Sequence, residues 1–367
     1  MPEQQKDTHP PSPDAGPGTP IPVAILGAAG AVGQRFVQLL DGHPWFKVVT
    51  LTGSERAAGQ SYAHACHWIL PSPMPEWARE MEVMPNLPEK AQARLAFSAL
   101  PAAAAQTVEP LFAESGVSVC TNASTFRTAD DVPLVLPEVN PEHTRLIERQ
   151  RRERGWKGCI VANANCTITG LTITLKALLD EFGLRRAFVV SMQAISGAGY
   201  PGIASMDILG NVVPYIAGEE DKMEWEPRKM LGSLKDSGVT LAGMTISAHA
   251  NRVAVIDGHM LCLSVEFDKK ATLEEVGEAM RDFAAPQVSR DLPSAPETPI
   301  LLRDEADRPQ PRLDLMTGTG MTTVVGRLRQ DALLDYKMVI LSHNTIRGAA
   351  GGSIYNAELL VRQGWVG

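Results

Sequence analysis

Val-Ala-Ile-Leu-Gly-Ala-Ala-Gly-Ala-Val-Gly, residues 23–33, is the stretch on which the reading of this chain turns. Val23 to Leu26 is a short apolar run of strand type that enters Gly27, Gly30 and Gly33. Val32, Phe36 and Leu40 then recur at helical spacing until Gly42 and Pro44 close the segment. A second apolar run, Val48 to Leu51, completes a βαβ unit. In that setting the glycines form a variant of the dinucleotide fingerprint. They permit a tight turn and let backbone N–H groups approach a pyrophosphate resting on the helix amino end.

Outward from this unit the alternation continues. Leu95 to Leu100 reads as a strand, Ala102 opens an Ala-rich helix ended by Gly116, Val117 to Cys120 is a strand, Asn140-Pro141-Glu142 opens a helix, and Ile160 to Ala162 is again a strand. Strands alternating with helices predict a parallel, doubly wound sheet. Beyond residue 162 the pattern changes to β-rich runs: Arg186 to Met192, Val239 to Ser247, Arg252 to Ile256, Met260 to Phe267, Met321 to Leu328 and Tyr336 to Leu341. Asp257-Gly258 reads as a turn between two of these, and Thr272 with Glu275 as a capping box for a helix through Phe283. This half is expected to be a mixed or largely antiparallel sheet with helices on one face. Thr345 to Val361 is helical in composition and is expected to pack back on the first domain. Residues 1–22 hold seven prolines and almost no large apolar side chains, and are expected to be a disordered leader without signal or transit character. The expected division is therefore a leader over 1–22, a Rossmann-type nucleotide domain over 23–162 joined by 345–362, and a second, α+β domain over 163–344.

The chain has 367 residues, a prior of two to three domains, and no apolar run of spanning length. Net charge is −8, which does not favour a nucleic-acid partner. The one basic cluster, Arg149, Arg151, Arg152 and Arg154 with Glu148 and Glu153 interleaved, reads as a solvated helix face. Five cysteines with no CxxC pair argue against a disulfide framework or a structural metal, and for a reducing, cytoplasmic setting.

Among the cysteines, Cys166 stands apart. Asn163-Ala164-Asn165-Cys166-Thr167 lies between a buried strand and the helical stretch 170–182. A thiol at a helix amino end is expected to have a lowered pKa and to be able to form a thioester. Cys66, Cys120, Cys159 and Cys262 read as packing residues. Of eight histidines, His9 lies in the leader, and His43, His64, His67 and His143 take surface or loop roles by default. His249, His259 and His343 remain. His259 heads the strand carrying Leu261, Leu263 and Val265 on one face, and reads either as a packed core residue or as a site residue at a sheet edge. After the second strand, Ser54-Glu55-Arg56 offers both a carboxylate for a ribose diol and a hydroxyl and guanidinium for a 2′-phosphate, a modest vote for NADP.

These motifs together, with Gln-Ala-Ile-Ser-Gly-Ala-Gly-Tyr (193–200), Asn-Arg-Val-Ala-Val-Ile-Asp-Gly-His (251–259), Asp-Arg-Pro-Gln-Pro-Arg-Leu-Asp (307–314) and His-Asn-Thr-Ile-Arg-Gly-Ala-Ala-Gly (343–351), resemble the archaeal and fungal branch of the aspartate-β-semialdehyde dehydrogenases. The resemblance runs in order from Val23 to about Val361. It implies a Rossmann domain followed by a catalytic and dimerisation domain like that of glyceraldehyde-3-phosphate dehydrogenase. It implies NADPH-dependent reductive dephosphorylation of L-4-aspartyl phosphate to L-aspartate 4-semialdehyde, a step of lysine, threonine and methionine biosynthesis. Carried over by residue, it makes Cys166 the nucleophile and His259 the acid/base. Arg252 would grip the substrate's α-carboxylate, Gln193 would orient the substrate, and Arg127, Glu219 and Lys222 would form the phosphate site. NADP would contact Gly27, Ala29, Gly30, Ala31, Val32, Ser54, Arg56, Ser98, Ser196, Gly197 and Asn344.

Two positions depart from the family pattern. Ala164 stands where proline is usual and Ala29 where threonine is, and neither change removes a reacting group. An acyl-CoA reductase of the same fold and a non-catalytic NADP-binding paralogue are the rival readings. The expected partners are a small-molecule substrate and phosphate, with no nucleic acid, membrane or metal, in a homodimer or homotetramer.

Overall fold

The computed structural model describes residues 16–236 and 238–366. The leader expectation for residues 1–15, His9 included, lies outside them. The first strand begins at Ile21, two residues before the expected apolar run, because Ile21 and Pro22 already pair with Phe46 and Lys47 as the first rungs of the sheet.

Seven strands form a wholly parallel sheet: β1 (Ile21–Leu26), β2 (Phe46–Gly53), β3 (Val83–Pro85), β4 (Leu95–Ser98), β5 (Ser118–Thr121), β6 (Leu134–Val135) and β7 (Cys159–Asn163). Their order is β3-β2-β1-β4-β5-β7-β6. Val23 to Leu26 are all buried, as a strand covered on both faces requires. Chain direction across the sheet reverses between β1 and β4, so the crevice beyond their carboxyl ends is the place where doubly wound sheets take ligands. The helix Ala31–Leu39 opens there. β3 and β6, three and two residues long, are too short to show a pattern in the sequence.

The second sheet contains β8 (Leu184–Gln193), β11 (Thr245–Arg252), β12 (His259–Phe267), β13 (Ile300–Arg303), β14 (Thr323–Gln330) and β15 (Tyr336–Ser342), in the order β11-β8-β12-β15-β14-β13. It is mixed: β11–β8 and β14–β13 are parallel and the other pairs antiparallel. Three expectations change here. The run Val239 to Ser247 splits, since β10 (Gly238–Thr240) pairs with β9 (Ser233–Lys235) in a ribbon of its own and β11 begins only at Thr245. Arg252 ends β11 instead of opening a strand. Asp257-Gly258 does not close a hairpin, because β8 lies between β11 and β12; Val253 to Gly258 is a loop whose Val255 and Ile256 carbonyls accept from Ile195 and Ser196 N–H.

The helix Cys166–Phe182 leaves β7 of the first sheet and packs on β8, β12, β14 and β15 of the second, which is why it is buried nearly all round. The helix Leu273–Arg281 starts at Thr272 with both bonds of the capping box made, and ends two residues before Phe283. The last segment is a π-turn, Ile346–Ala350, running into the helix Gly351–Arg362, which packs on β4, β5 and β7. The basic cluster is less solvated than expected. Arg154 is paired with Asp131 and lies over Trp156, Arg151 donates to the carbonyls of Gly158 and Trp365, and Arg149 pairs with Glu153. No helix among the described residues is long and apolar enough to cross a membrane.

Candidate active site

Strand register assembles the site. Arg252 of β11 stands opposite Gln193 of β8, and Met260 of β12 opposite Met192, so Gln193, Arg252 and His259 come together at one end of three adjacent strands. In β8 the residues Ala187, Val189, Ser191 and Gln193 face inward, in β12 His259, Leu261, Leu263 and Val265, and in β11 Ile246, Ala248, Ala250 and Arg252. The period of two therefore places all three polar side chains on the face covered by the Cys166 helix. Cys166 is that helix's first residue, behind an Asn165 cap whose side chain accepts from Thr167 N–H at 2.8 Å. Cys166 Sγ is 3.3 Å from His259 Nε2.

A carboxylate centres the rest. Glu219 accepts from Asn165 Nδ2 at 2.9 and 3.0 Å, from Gln193 Nε2 at 3.2 Å and from Lys222 Nζ at 2.8 Å. Arg252 Nη1 donates to the Ala194 carbonyl at 2.8 Å. Arg127 is buried, donates to the carbonyl of Asn122 and to Glu226, and leaves its Nε without a protein partner. All seven residues expected for catalysis and substrate binding belong to one connected cluster.

Its electrostatics differ from the expectation for a helix-end thiol. Burial, and then the Glu219 carboxylate, push the Cys166 thiol up to about 11, against the pull of Arg127, Thr167 and Arg252. Burial, with Arg252 and His343 adding, pushes His259 down to about 3.

The glycine turn is built for close approach. A Cβ on Gly33 would lie 2.3 Å from the Gly27 carbonyl, and Gly27 has φ +75°. Tyr62 Oη and Gln34 Nε2 donate to the carbonyls of Ala28 and Ala29, holding the turn from behind, so the missing threonine hydroxyl at Ala29 leaves the backbone anchored. Gly30 is exposed and Ala31 and Val32 are half-buried at the crevice, with Ser54 and Arg56 exposed after β2. Ser196 and Gly197 lie in the short turn Ile195–Ala198 after β8, and Asn344 joins them by donating to Ser196 Oγ at 2.7 Å while accepting from Gly258 N–H at 2.8 Å. Ser98 is placed differently: it is wholly buried, and its hydroxyl serves Leu100 N–H and Glu109.

Glu109 is also wholly buried, and burial raises its carboxyl to about 7. The folded protein then holds a proton that the unfolded chain releases near pH 4.5, so stability falls as pH rises through this window and levels off above it. Glu109→Gln is expected to raise stability at about pH 8 by up to about 3 kcal/mol and by little at about pH 4, read as denaturation midpoints. Equal effects at both pH values would contradict this.

Other histidines and cysteines also differ from expectation. His143 is buried and bonded to Asn140, and His43 is half-buried with its side chain bonded to Glu358 at 2.9 Å, so both take structural roles. Cys262 is exposed on β12, whereas Cys66, Cys120 and Cys159 are buried as expected. Sequence reasoning missed Glu226 and Lys229. Glu226 accepts from Arg127 Nη1 at 3.0 Å with one oxygen and from Asn165 N–H at 2.9 Å with the other, fixing the turn in which Ala164 replaces proline. Lys229 Nζ donates to the carbonyls of Arg127, Ala129 and Val132. A signal existed: Glu219, Met223, Glu226 and Met230 fall at helical spacing on one buried stripe, where a carboxylate needs a partner. Gly348, in the π-turn, also bears on the site. A Cβ there would lie 2.7 Å from Cys166 Cα, so only glycine lets the π-turn lie against the cysteine.

Two family descriptions match the chain: a semialdehyde dehydrogenase NAD-binding domain over residues 22–147 and a semialdehyde dehydrogenase dimerisation domain over 175–347. An aspartate-semialdehyde dehydrogenase of Archaeoglobus fulgidus is 50% identical over 93% of this chain and 98% of its own length. That of Schizosaccharomyces pombe is 45% identical over 93% and 98%. The crystal structure of aspartate semialdehyde dehydrogenase with NADP from Candida albicans has a TM-score of 0.87 at 40% identity, covering 95% of this chain and all of that one. With the sheet order, the Cys–His contact and these matches in agreement, the chain belongs to the aspartate-semialdehyde dehydrogenase family.

Proposed function

We propose that this enzyme converts L-4-aspartyl phosphate to L-aspartate 4-semialdehyde through a thioester on Cys166, with NADPH as reductant. The observation that carries the reading is the convergence of Cys166, His259, Gln193, Arg252 and the Glu219–Lys222 pair at one sheet end, with buried Arg127 linked to the same turn. Cys166 attacks the acyl carbon and phosphate departs, its charge met by Arg127 and Lys222. Arg252 clamps the α-carboxylate in the fork geometry a guanidinium offers, and Gln193 orients the acyl group. The Gly27–Gly33 turn, Ser54, Arg56, Ser196, Gly197 and Asn344 would hold the cofactor, which when bound supplies the hydride that reduces the thioester. The Ala198–Gly218 segment exposes Met206, Leu209 and Tyr215, at 91%, 68% and 67%, and fits burial in a homodimer through the second domain. Sedimentation at a monomer mass would contradict that part.

Steady-state assay tests the reading directly. NADP reduction with L-aspartate semialdehyde is expected to require phosphate, and malonyl-CoA with NADPH is expected to give no turnover. Malonyl-CoA turnover without semialdehyde turnover would favour the acyl-CoA reductase reading. Gly197→Ala places a methyl 2.8 Å from Arg252 Nη1 and 2.9 Å from His259 Cε1. It is expected to lower kcat/KM by about 10²-fold through misplacement of these groups, with thermal stability little changed. An unchanged kcat/KM would contradict the placement.

A further inference from the structure

We propose that Asn163 is a positioning residue of the reaction: its side-chain amide ties the loop that carries Arg127 to the turn that lies against Cys166, and so fixes the phosphate site relative to the nucleophile. The proposal rests on the reading of Cys166 as nucleophile and of Arg127 as phosphate ligand. Thr121 of β5 pairs with Ala162 of β7, so the residues that follow, Asn122 and Asn163, stand side by side at the carboxyl end of the sheet. Asn163 Nδ2 donates to Asn122 Oδ1 at 3.0 Å and to the Ala349 carbonyl of the π-turn at 3.1 Å. Its Oδ1 accepts from Asn356 Nδ2 at 3.3 Å. Asn122 in turn accepts from Arg127 Nη2 at 2.8 Å with its backbone carbonyl. One amide therefore joins the phosphate arginine's loop, the strand leading to the cysteine and the π-turn whose Gly348 lies against it.

The chemistry of the position calls for an amide. Asn163 is buried, and both its N–H bonds and its oxygen are used, so a residue without two donors and an acceptor strands a partner. Packing around it is close: a Cβ on Gly352 would lie 3.0 Å from Asn163 Oδ1. The buried helix Gly351–Arg362 turns two polar side chains, Ser353 and Asn356, to this pair, and Ser353 Oγ donates to Asn122 Oδ1 at 3.1 Å. The cofactor side has an anchor of its own. Asn122 N–H and Nδ2 both donate to the Ser98 carbonyl at the end of β4, at 3.1 and 3.2 Å, and neither bond passes through Asn163. Loss of the Asn163 amide is thus expected to show on phosphate and on turnover and to spare NADP, because small displacements of Arg127 and Cys166 relative to each other cost rate steeply.

Asn163→Asp keeps the shape and tests the donors. The new carboxyl faces Asn122 Oδ1 and the Ala349 carbonyl and donates only while protonated, and burial of this kind raises a carboxyl to about 7–9. Semialdehyde oxidation is measured at varied phosphate and divided by the wild-type value at the same pH. The ratio of kcat/KM for phosphate is expected to lie within about tenfold of unity at about pH 6 and to fall a further tenfold or more by about pH 9, with KM for NADP within about twofold of wild type throughout. A ratio that does not change with pH, or a KM for NADP that rises with that for phosphate, would overturn the proposal. Ser353→Ala removes one donor from Asn122 Oδ1 and is expected to raise KM for phosphate about threefold with thermal stability little changed. If the aspartate variant does not fold this one decides, and an unchanged KM for phosphate overturns the proposal. Phosphate protection separates the two readings. Inorganic phosphate at Arg127 is expected to slow iodoacetamide alkylation of the Cys166 peptide, read by mass spectrometry, and half-protection at about pH 9 is expected to need about tenfold more phosphate in Asn163→Asp than in wild type. A wild-type enzyme without semialdehyde turnover but with that shift removes the substrate assignment and leaves the role of Asn163 standing, while normal turnover with equal protection in both proteins does the reverse.

Discussion

Cys166→Ser is expected to lower semialdehyde turnover by about 10⁴-fold or more while leaving NADP affinity, read by fluorescence titration, within about twofold. The substitution keeps the helix start, because the cap is made by Asn165 and the preceding turn by Glu226. What it removes is a polarisable nucleophile that leaves readily when the adduct collapses. An alcohol in the same position is far harder to ionise, and an ester is a poorer hydride acceptor than a thioester. Retention of more than about a tenth of the turnover would remove Cys166 from the nucleophile role.

Glu226→Ala is expected to cost about 3–5 kcal/mol of stability, because it strands a buried guanidinium. Glu226 is 2% exposed, and the Arg127 side chain it pairs with is 8% exposed. The second carboxylate oxygen holds Asn165 N–H, one residue before the cysteine, so the loss reaches both the phosphate side and the nucleophile's turn. Glu226→Gln keeps one acceptor and cannot satisfy both donors. Its stability loss is expected to be about half that of the alanine variant, with KM for phosphate rising more than kcat falls. The measurements are denaturant midpoints and initial rates at varied phosphate. Wild-type stability in Glu226→Ala would contradict the buried pairing.

The first domain was legible because its signals are local. A strand entering glycines, the helix spacing after them and the Ala-rich helix ended by Gly116 all act within a few turns of chain. Gly116 indeed has φ +105°. The short strands β3 and β6 owe their existence to neighbours in the sheet. In the second domain the residues around Arg252 show the limit. Val253, Val255 and Ile256 look like strand continuation, yet Val253 N–H donates to the Gln193 carbonyl and the Val255 and Ile256 carbonyls accept from Ile195 and Ser196 N–H. Cys166 and His259 were visible as residue types in telling positions, but their proton states were not. The helix-end argument for a low thiol pKa is local, whereas burial and Glu219, which outweigh it, come from elements far along the chain. The same holds for Gly348 and Glu226, whose roles exist only once the π-turn and the Glu219–Met230 helix are in place.

Covalent capture tests the central claim most directly. The enzyme is mixed with L-aspartate semialdehyde and NADP without phosphate, quenched in acid and digested, and the Cys166 peptide is weighed. The account predicts an aspartyl thioester on Cys166 that phosphate clears and that Cys166→Ser does not form. Phosphate-dependent turnover with no adduct, or an adduct on any other residue, would contradict it.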